Sequence, residues 1–170
     1  MEARGLGVLA RSLIFTVLVP GTVTVVVPYL LLPRGAGLGI GPAGFFGAPL
    51  MALGMGCYFW CVWDFALRGG GTPAPIDAPN TLVVTGPYRY VRNPMYLGVE
   101  SLVLGEAILF SSWSLLEYAG LLAVGFHLFV VLYEERTLRK KFGAAYEDYR
   151  KTVPRWIPRT RADKVSTPLV

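Results

Sequence analysis

The chain has 170 residues, of which 54% are hydrophobic and 16% are charged, and its net charge is +5 at pH 7. A soluble domain has roughly 25% charged residues, and a chain this short cannot hide so much apolar surface in one core. The composition therefore excludes an ordinary soluble domain and predicts an integral membrane protein. The basic residues lie beside apolar runs, which favours an anionic membrane surface as partner over nucleic acid.

Four apolar segments follow one another and predict transmembrane helices, since roughly 20 residues cross the hydrocarbon core as a helix. The fold class expected is all-α, a polytopic membrane helix bundle that forms a single domain over residues 1–170. The predicted spans are residues 12–32, 44–67, 95–110 and 113–133.

A charged segment, residues 134–150, follows the fourth span. Its apolar residues recur at helical spacing, which predicts an amphipathic helix at the cytoplasmic face. Gly143 interrupts it and predicts either a close contact or a break in the helix. Residues 153–158 predict an anchor at the membrane interface. The apolar positions of this region are Leu138, Phe142, Tyr146, Tyr149 and Val153.

The distribution of positive charge predicts the orientation. With four spans, every one of the 16 Lys and Arg residues except Arg34 falls on one side of the membrane. The positive-inside rule makes that side cytoplasmic, so both termini are expected in the cytoplasm. Only two residues, Ser111 and Ser112, separate the third span from the fourth, which predicts an antiparallel hairpin.

This topology brings the start of the third span and the end of the fourth to the same face. Asn93 and Pro94 are a typical N-cap and first residue of a helix, and such a helix start favours a bound anion. Arg89 and Arg92 add positive charge there. Helix capping and arginines bound to lipid phosphate are the alternative interpretation.

Glu134 and Glu135 lie at the negative end of the fourth helix, where acidic residues are unfavourable and a cation would relieve them. Ordinary pairing with the following Arg136, Arg139 and Lys140 is one explanation. A bound cationic ligand is the other. A zwitterion with a carboxylate and an ammonium would satisfy both ends of the hairpin.

Other candidate residues give weaker signals. His127, the single histidine, leaves open a rival function as a non-enzymatic membrane module handling haem or quinone, although one histidine cannot provide two axial ligands. Cys57 and Cys61 lie four residues apart in an apolar run, and without a second pair they predict no metal site. Glu100 lies one helical turn after Tyr96 and is therefore expected to face the same ligand site, at the start of the third span.

Two segments resemble a known superfamily. Residues 86–98 read Gly-Pro-Tyr-Arg-Tyr-Val-Arg-Asn-Pro-Met-Tyr-Leu-Gly, and Glu134-Glu135 begins a second segment that ends at Val153-Pro154. Together they resemble the isoprenylcysteine carboxyl methyltransferase and phospholipid methyltransferase superfamily of integral membrane enzymes, over about residues 80–158. The resemblance implies methyl transfer from S-adenosyl-L-methionine to a lipophilic acceptor, namely a prenylcysteine-like carboxylate, a lipid amine or a small thiol.

The resemblance also implies which residues form the site. The expected catalytic residues are Arg92, Asn93 and Glu134. The residues expected to bind the cofactor are Asn80, Thr81, Leu82, Val83, Gly86, Tyr88, Asn93, Pro94, Met95, Tyr96, Glu134 and Glu135.

The chain departs from the superfamily at two positions. Asn93 replaces the usual histidine, and an amide cannot carry a proton at neutral pH. Val130 stands one helical turn before Glu134, where enzymes that act on prenylated protein termini have an arginine. The methyl acceptor is therefore left open among the three classes.

Overall fold

The structure, a computed structural model, describes residues 14, 18–32, 44–65 and 81–159. In these ranges the regular structure is helical throughout and includes no strand, which confirms the all-α class. Five helices are described, in chain order α1 (Thr22–Leu31), α2 (Gly44–Asp64), α3 (Pro94–Leu109), α4 (Trp113–Phe142) and α5 (Ala144–Thr152).

Two of these helices, α2 and α4, are long and apolar enough to cross a membrane. They coincide with the second and fourth predicted spans, although α4 runs on past residue 133 through a π-helical segment, Val130–Glu134. Helix α3 has 16 residues and begins at Pro94, as the Asn-Pro pair predicts. The first and third spans, and hence the count of four, stay predictions.

The described residues fall into two compact units. The first, called here the signature unit, holds residues 59–65, 81–94 and 128–159. The second, called the glycine unit, holds residues 14, 18–32, 44–58 and 95–127.

Glycines bring two helices close together in the glycine unit. A Cβ atom built on Gly54 of α2 would lie 2.6 Å from the carbonyl oxygen of Gly98 in α3, and one built on Gly98 would lie 2.8 Å from that of Gly54. Gly47 and Gly105 meet in the same way, so α2 and α3 run antiparallel. Small residues are what allows two membrane helices to approach this closely.

The signature unit has a conventional apolar core. Gly143 separates α4 from α5 at a φ of +52°, and a Cβ built there would meet no atom within 4 Å. Of the two options for Gly143, the structure therefore shows a break in the helix and no close contact. The apolar residues around this break turn inward and pack with residues of the segment before the signature, namely Val84, Tyr146, Tyr149 and Val153, flanked by Leu82, Leu138 and Phe142.

Candidate functional site

The signature begins with a tight turn held by the end of α2. Residues Gly86–Arg89 form one turn of 3-10 helix, and Gly86 has a φ of +53°. A Cβ on Gly86 would collide with the carboxylate of Asp64 and lie 3.0 Å from Nε1 of Trp60. Thr85 donates a hydrogen bond from Oγ1 to Oδ2 of Asp64 at 2.9 Å. Asp64 thus fixes this turn.

Tyr88 lies in the interior of the signature unit. Its ring meets that of Phe65 edge to face, with centroids 5.4 Å apart, and its carbonyl oxygen accepts a hydrogen bond from the hydroxyl of Tyr149 at 2.7 Å. Burial raises the pKa of Tyr88 well above its ordinary value, and the nearby Cys61 and the carboxylate of Glu134 add to the effect. Tyr88 therefore provides a neutral phenol that is held in place close to Glu134.

Glu135 is the centre of a buried ionic cluster. Its Oε1 accepts a hydrogen bond from Nη1 of Arg92 at 3.0 Å and one from Nε of Arg155 at 2.7 Å, while its Oε2 accepts one from Nη2 of Arg155 at 3.1 Å. The side chains of Arg92 and Glu135 are only 9% and 6% exposed. The predicted meeting of the donor-rich and acidic ends of the hairpin therefore takes place through Arg92 and Glu135.

The local pairing considered for Glu135 is not the one observed. Arg139, four residues on, is 42% exposed and pairs with Glu147 of α5 at 3.1 Å. Glu135 is 4% exposed because it faces the interior, where Arg92 and Arg155 supply its ion pairs.

Arg92 retains an unused donor. Its Nη1 also donates to the hydroxyl of Tyr146 at 3.3 Å. Its Nε is buried and has no hydrogen-bond partner among the residues that the structure describes. Because an unsatisfied buried donor costs about 1–3 kcal/mol, such an atom in a native fold calls for an explanation.

Asn93 connects the signature to the end of the chain. It is 7% exposed, and its Nδ2 donates to the carbonyl oxygen of Arg155 at 3.1 Å. The amide of Arg92 donates to the carbonyl oxygen of Pro154 at 2.9 Å. Sequence reasoning missed this contact, because the only local signal in residues 153–158 was their apolar and basic composition.

The structure collects most of the predicted site residues in the signature unit. Within it the charge of Glu134 acts on the hydroxyls of Tyr88 and Tyr146, in each case opposing ionisation of the phenol. The unit contains Thr81, Leu82, Val83, Gly86, Tyr88, Arg92, Asn93, Pro94, Glu134 and Glu135.

Three predicted residues are placed otherwise. Met95 and Tyr96 belong to the glycine unit, where the ring of Tyr96 lies 4.8 Å from that of Phe126. Asn80 lies outside the described residues. His127 is exposed on α4, and the described ranges contain no group of three His, Cys, Asp or Glu residues that could hold a metal ion.

The apolar helices and the composition indicate the class of protein, a helical membrane protein. The family model described as phospholipid methyltransferase matches residues 43–145, more than half of the chain. The chain therefore belongs to the phospholipid methyltransferase family, and the resemblance drawn from residues 86–98 and Glu134-Glu135 is confirmed.

A named relative and the solved structures complete the comparison. A protein-S-isoprenylcysteine O-methyltransferase of Schizosaccharomyces pombe is 38% identical over 79 residues, which are 46% of this chain. These residues span 34% of that protein, so the chain matches about a third of the length of this relative. No solved structure is significantly similar.

Proposed function

We propose that the chain is an enzyme that transfers a methyl group from S-adenosyl-L-methionine to a lipophilic acceptor at the membrane interface. Membership of the phospholipid methyltransferase family and the similarity to a protein named an O-methyltransferase support this. The acceptor class stays open among a prenylcysteine-like carboxylate, a lipid amine and a small thiol.

The observation that carries the proposal is the donor left over on buried Arg92, in the same unit as the carboxylate of Glu134. The amino-acid part of S-adenosyl-L-methionine has one carboxylate and one ammonium group. A buried guanidinium N–H fits the first, and a carboxylate fits the second, through charge-assisted hydrogen bonds. The residues present therefore fit the cofactor, which brings a methyl group already activated on a sulfonium sulfur.

The protein is left with positioning as its main task. Aligning two reactants can supply roughly 7–11 kcal/mol of rate acceleration without any acid or base. Tyr88 and Val83 are buried and would exclude water from one side of the ligand. Asn93 cannot carry a proton, and its amide is engaged with the carbonyl of Arg155, so we assign it a holding role.

We further propose four spans with both termini in the cytoplasm, so that the cofactor arrives from the cytosol and the acceptor from the bilayer. The support is the charge asymmetry of the sequence. Radiolabelled cofactor added to sealed vesicles of known orientation tests it. Methyl transfer is expected only where the cytoplasmic face is outside, and transfer only in the opposite vesicles would reverse the assignment.

The decisive experiment is cofactor binding to the purified protein and to its Glu134→Gln variant. This change keeps the shape of the side chain and removes its charge. Loss of one charge-assisted hydrogen bond costs about 1.5–3 kcal/mol, so affinity should fall roughly 10- to 150-fold. Isothermal titration with S-adenosylmethionine and its demethylated product gives the dissociation constants.

Glu147→Gln is the matched control for this variant. Glu147 is an acid on α5 that pairs with Arg139 and Arg150, and its side chain is 36% exposed. We expect its loss to leave cofactor affinity within twofold of the wild type. Absence of any binding to the wild-type protein would refute the proposed function, and equal small losses in the two variants would refute the role of Glu134.

A further inference from the structure

The segment after α5 binds the signature along its length. The amide of Arg92 donates to the carbonyl of Pro154 at 2.9 Å, and the amide of Arg159 donates to the carbonyl of Tyr90 at 3.1 Å. Between them the carbonyl of Arg155 accepts the hydrogen bond from Asn93. Residues 153–159, called here the strap, therefore hold the segment just before α3 by hydrogen bonds to the main chain of the strap, which do not depend on the Arg155 side chain.

The side chain of Arg155 has a separate task at Glu135. It donates to both carboxylate oxygens, at 2.7 and 3.1 Å, whereas Arg92 donates to one of them only. Two-pronged pairing of guanidinium and carboxylate is the stronger geometry. Arg155 therefore forms the stronger, two-pronged pair with Glu135, and Arg92 forms the weaker pair through a single hydrogen bond.

The charges of this cluster do not cancel. Two guanidiniums share the one carboxylate of Glu135, so the three side chains together retain one positive charge. Arg92 is the more buried of the two arginines, at 9% exposure against 30% for Arg155, and it has the Nε donor without a described partner. The unused hydrogen-bonding capacity of the cluster is thus on Arg92, beside the predicted cofactor residues.

We infer that Arg155 is a positioning residue: by occupying both oxygens of Glu135 it prevents Arg92 from turning fully onto that carboxylate and keeps the Nε of Arg92 available to an anionic group of the ligand. The inference rests on the proposed function. Without the Arg155 side chain, Glu135 would be free to accept Arg92 side-on, through Nε and Nη2, in the way it now accepts Arg155. The Nε donor of Arg92 would then be withdrawn from the ligand.

The test compares two ligands in the Arg155→Gln variant. S-adenosylhomocysteine has the amino-acid group, with its carboxylate and ammonium, whereas methylthioadenosine has the same nucleoside and thioether with neither. We expect the variant to bind S-adenosylhomocysteine roughly 10-fold more weakly, since one hydrogen bond to a charged group is weakened, and methylthioadenosine with unchanged affinity. Isothermal titration measures both, and the melting temperature is recorded for each protein.

Two further variants separate positioning from simple stabilisation. Arg155→Lys keeps the charge but cannot form the two-pronged pair, so it should recover only part of the affinity for S-adenosylhomocysteine. Arg150→Gln removes an arginine whose pairing with Glu147 is at the surface, and it should change neither ligand's affinity.

Each outcome decides something. A loss of affinity confined to S-adenosylhomocysteine supports the inference, even if the melting temperature also falls. A lower melting temperature with both affinities unchanged, or with both weakened equally, overturns it, because Arg155 would then only stabilise the fold. Failure of the wild-type protein to bind either ligand overturns the proposed function and this inference with it.

Discussion

The glycine unit and the signature unit differ in the interactions that stabilise each of them internally. In the glycine unit, α2 and α3 lie so close together that a Cβ atom on Gly54 would be only 2.6 Å from the carbonyl oxygen of Gly98. In the signature unit, directional polar bonds join distant parts of the chain, as when Glu135 accepts hydrogen bonds from residues 43 and 20 positions away. The packing of the glycine unit depends on the absence of side chains at its glycines, whereas the polar bonds of the signature unit depend on particular side chains.

Because of this difference, we expect the glycine unit to be sensitive to added side-chain volume and the signature unit to be sensitive to the removal of a charge. Close backbone packing gains its stability from van der Waals contact, so an added methyl group is destabilising because it forces the two backbones apart. A buried ionic cluster gains little net stability from its existence, yet removing one partner leaves an uncompensated charge. Mutations that change one property at a time can therefore test the comparison.

The largest effect is expected from Glu135→Gln. The change leaves buried Arg92 without its carboxylate, and breaking a buried ion pair in this way costs about 3–5 kcal/mol. We expect the free energy of unfolding, measured by denaturant titration in detergent, to fall by this amount. Glu147→Gln, which opens only surface pairs, should cost less than about 1 kcal/mol. Equal effects of the two changes would show that water reaches the cluster.

The sequence anticipates contacts that local rules describe. The Asn93-Pro94 pair places the start of α3, and Gly143 marks the boundary between α4 and α5. The same local rules suggest Arg139 as a partner for the acidic pair, but the structure pairs Glu135 with Arg155, which lies beyond a helix break. The spacing of residues along one helix contains no information about a partner on another segment.

The glycine pairs and Asp64 could not be predicted for the same reason. Twenty glycines are scattered through the chain, and nothing local tells that Gly54 faces Gly98 while Gly56 faces no neighbour within 4 Å. Asp64 at the end of an apolar run is typical of a membrane interface, and only the fold shows that Thr85 and Gly86 meet it. The family resemblance predicts the residues of a site without predicting what supports them.

An intermediate effect is expected from alanine at Gly54. Its Cβ would lie 2.6 Å from the carbonyl of Gly98 and 2.9 Å from the Cβ of Ser101, so α2 and α3 must separate. Overpacking of this kind costs about 1–3 kcal/mol. Gly56, two residues away in the same helix, has open space, and Gly56→Ala should leave stability unchanged or slightly raised. Melting temperatures of the two variants in detergent give the comparison, and similar values for both would contradict the close approach of α2 and α3.

The smallest effect is expected from Tyr149→Phe in the signature unit. The change removes the hydrogen bond from the Tyr149 hydroxyl to the carbonyl of Tyr88 and should cost about 1 kcal/mol at neutral pH. Burial also raises the pKa of Tyr149 above its ordinary value. A phenol whose pKa is higher in the folded than in the unfolded state stabilises the fold fully below about pH 10, and that contribution is lost as the pH rises further.

Stability of the wild-type protein should therefore decline above about pH 10, and the decline should be shallower in Tyr149→Phe, with the remainder due to Tyr88 and Tyr146, whose pKa values are also raised. Unfolding curves at pH 8 to 11 measure both slopes. Tyr90→Phe, at a residue that is 39% exposed, is the control for the loss of a surface phenol. If Tyr149→Phe declines as steeply as the wild type, the Tyr149 hydroxyl is reached by solvent, and the signature unit is less tightly closed at Tyr88 than its hydrogen bonds indicate.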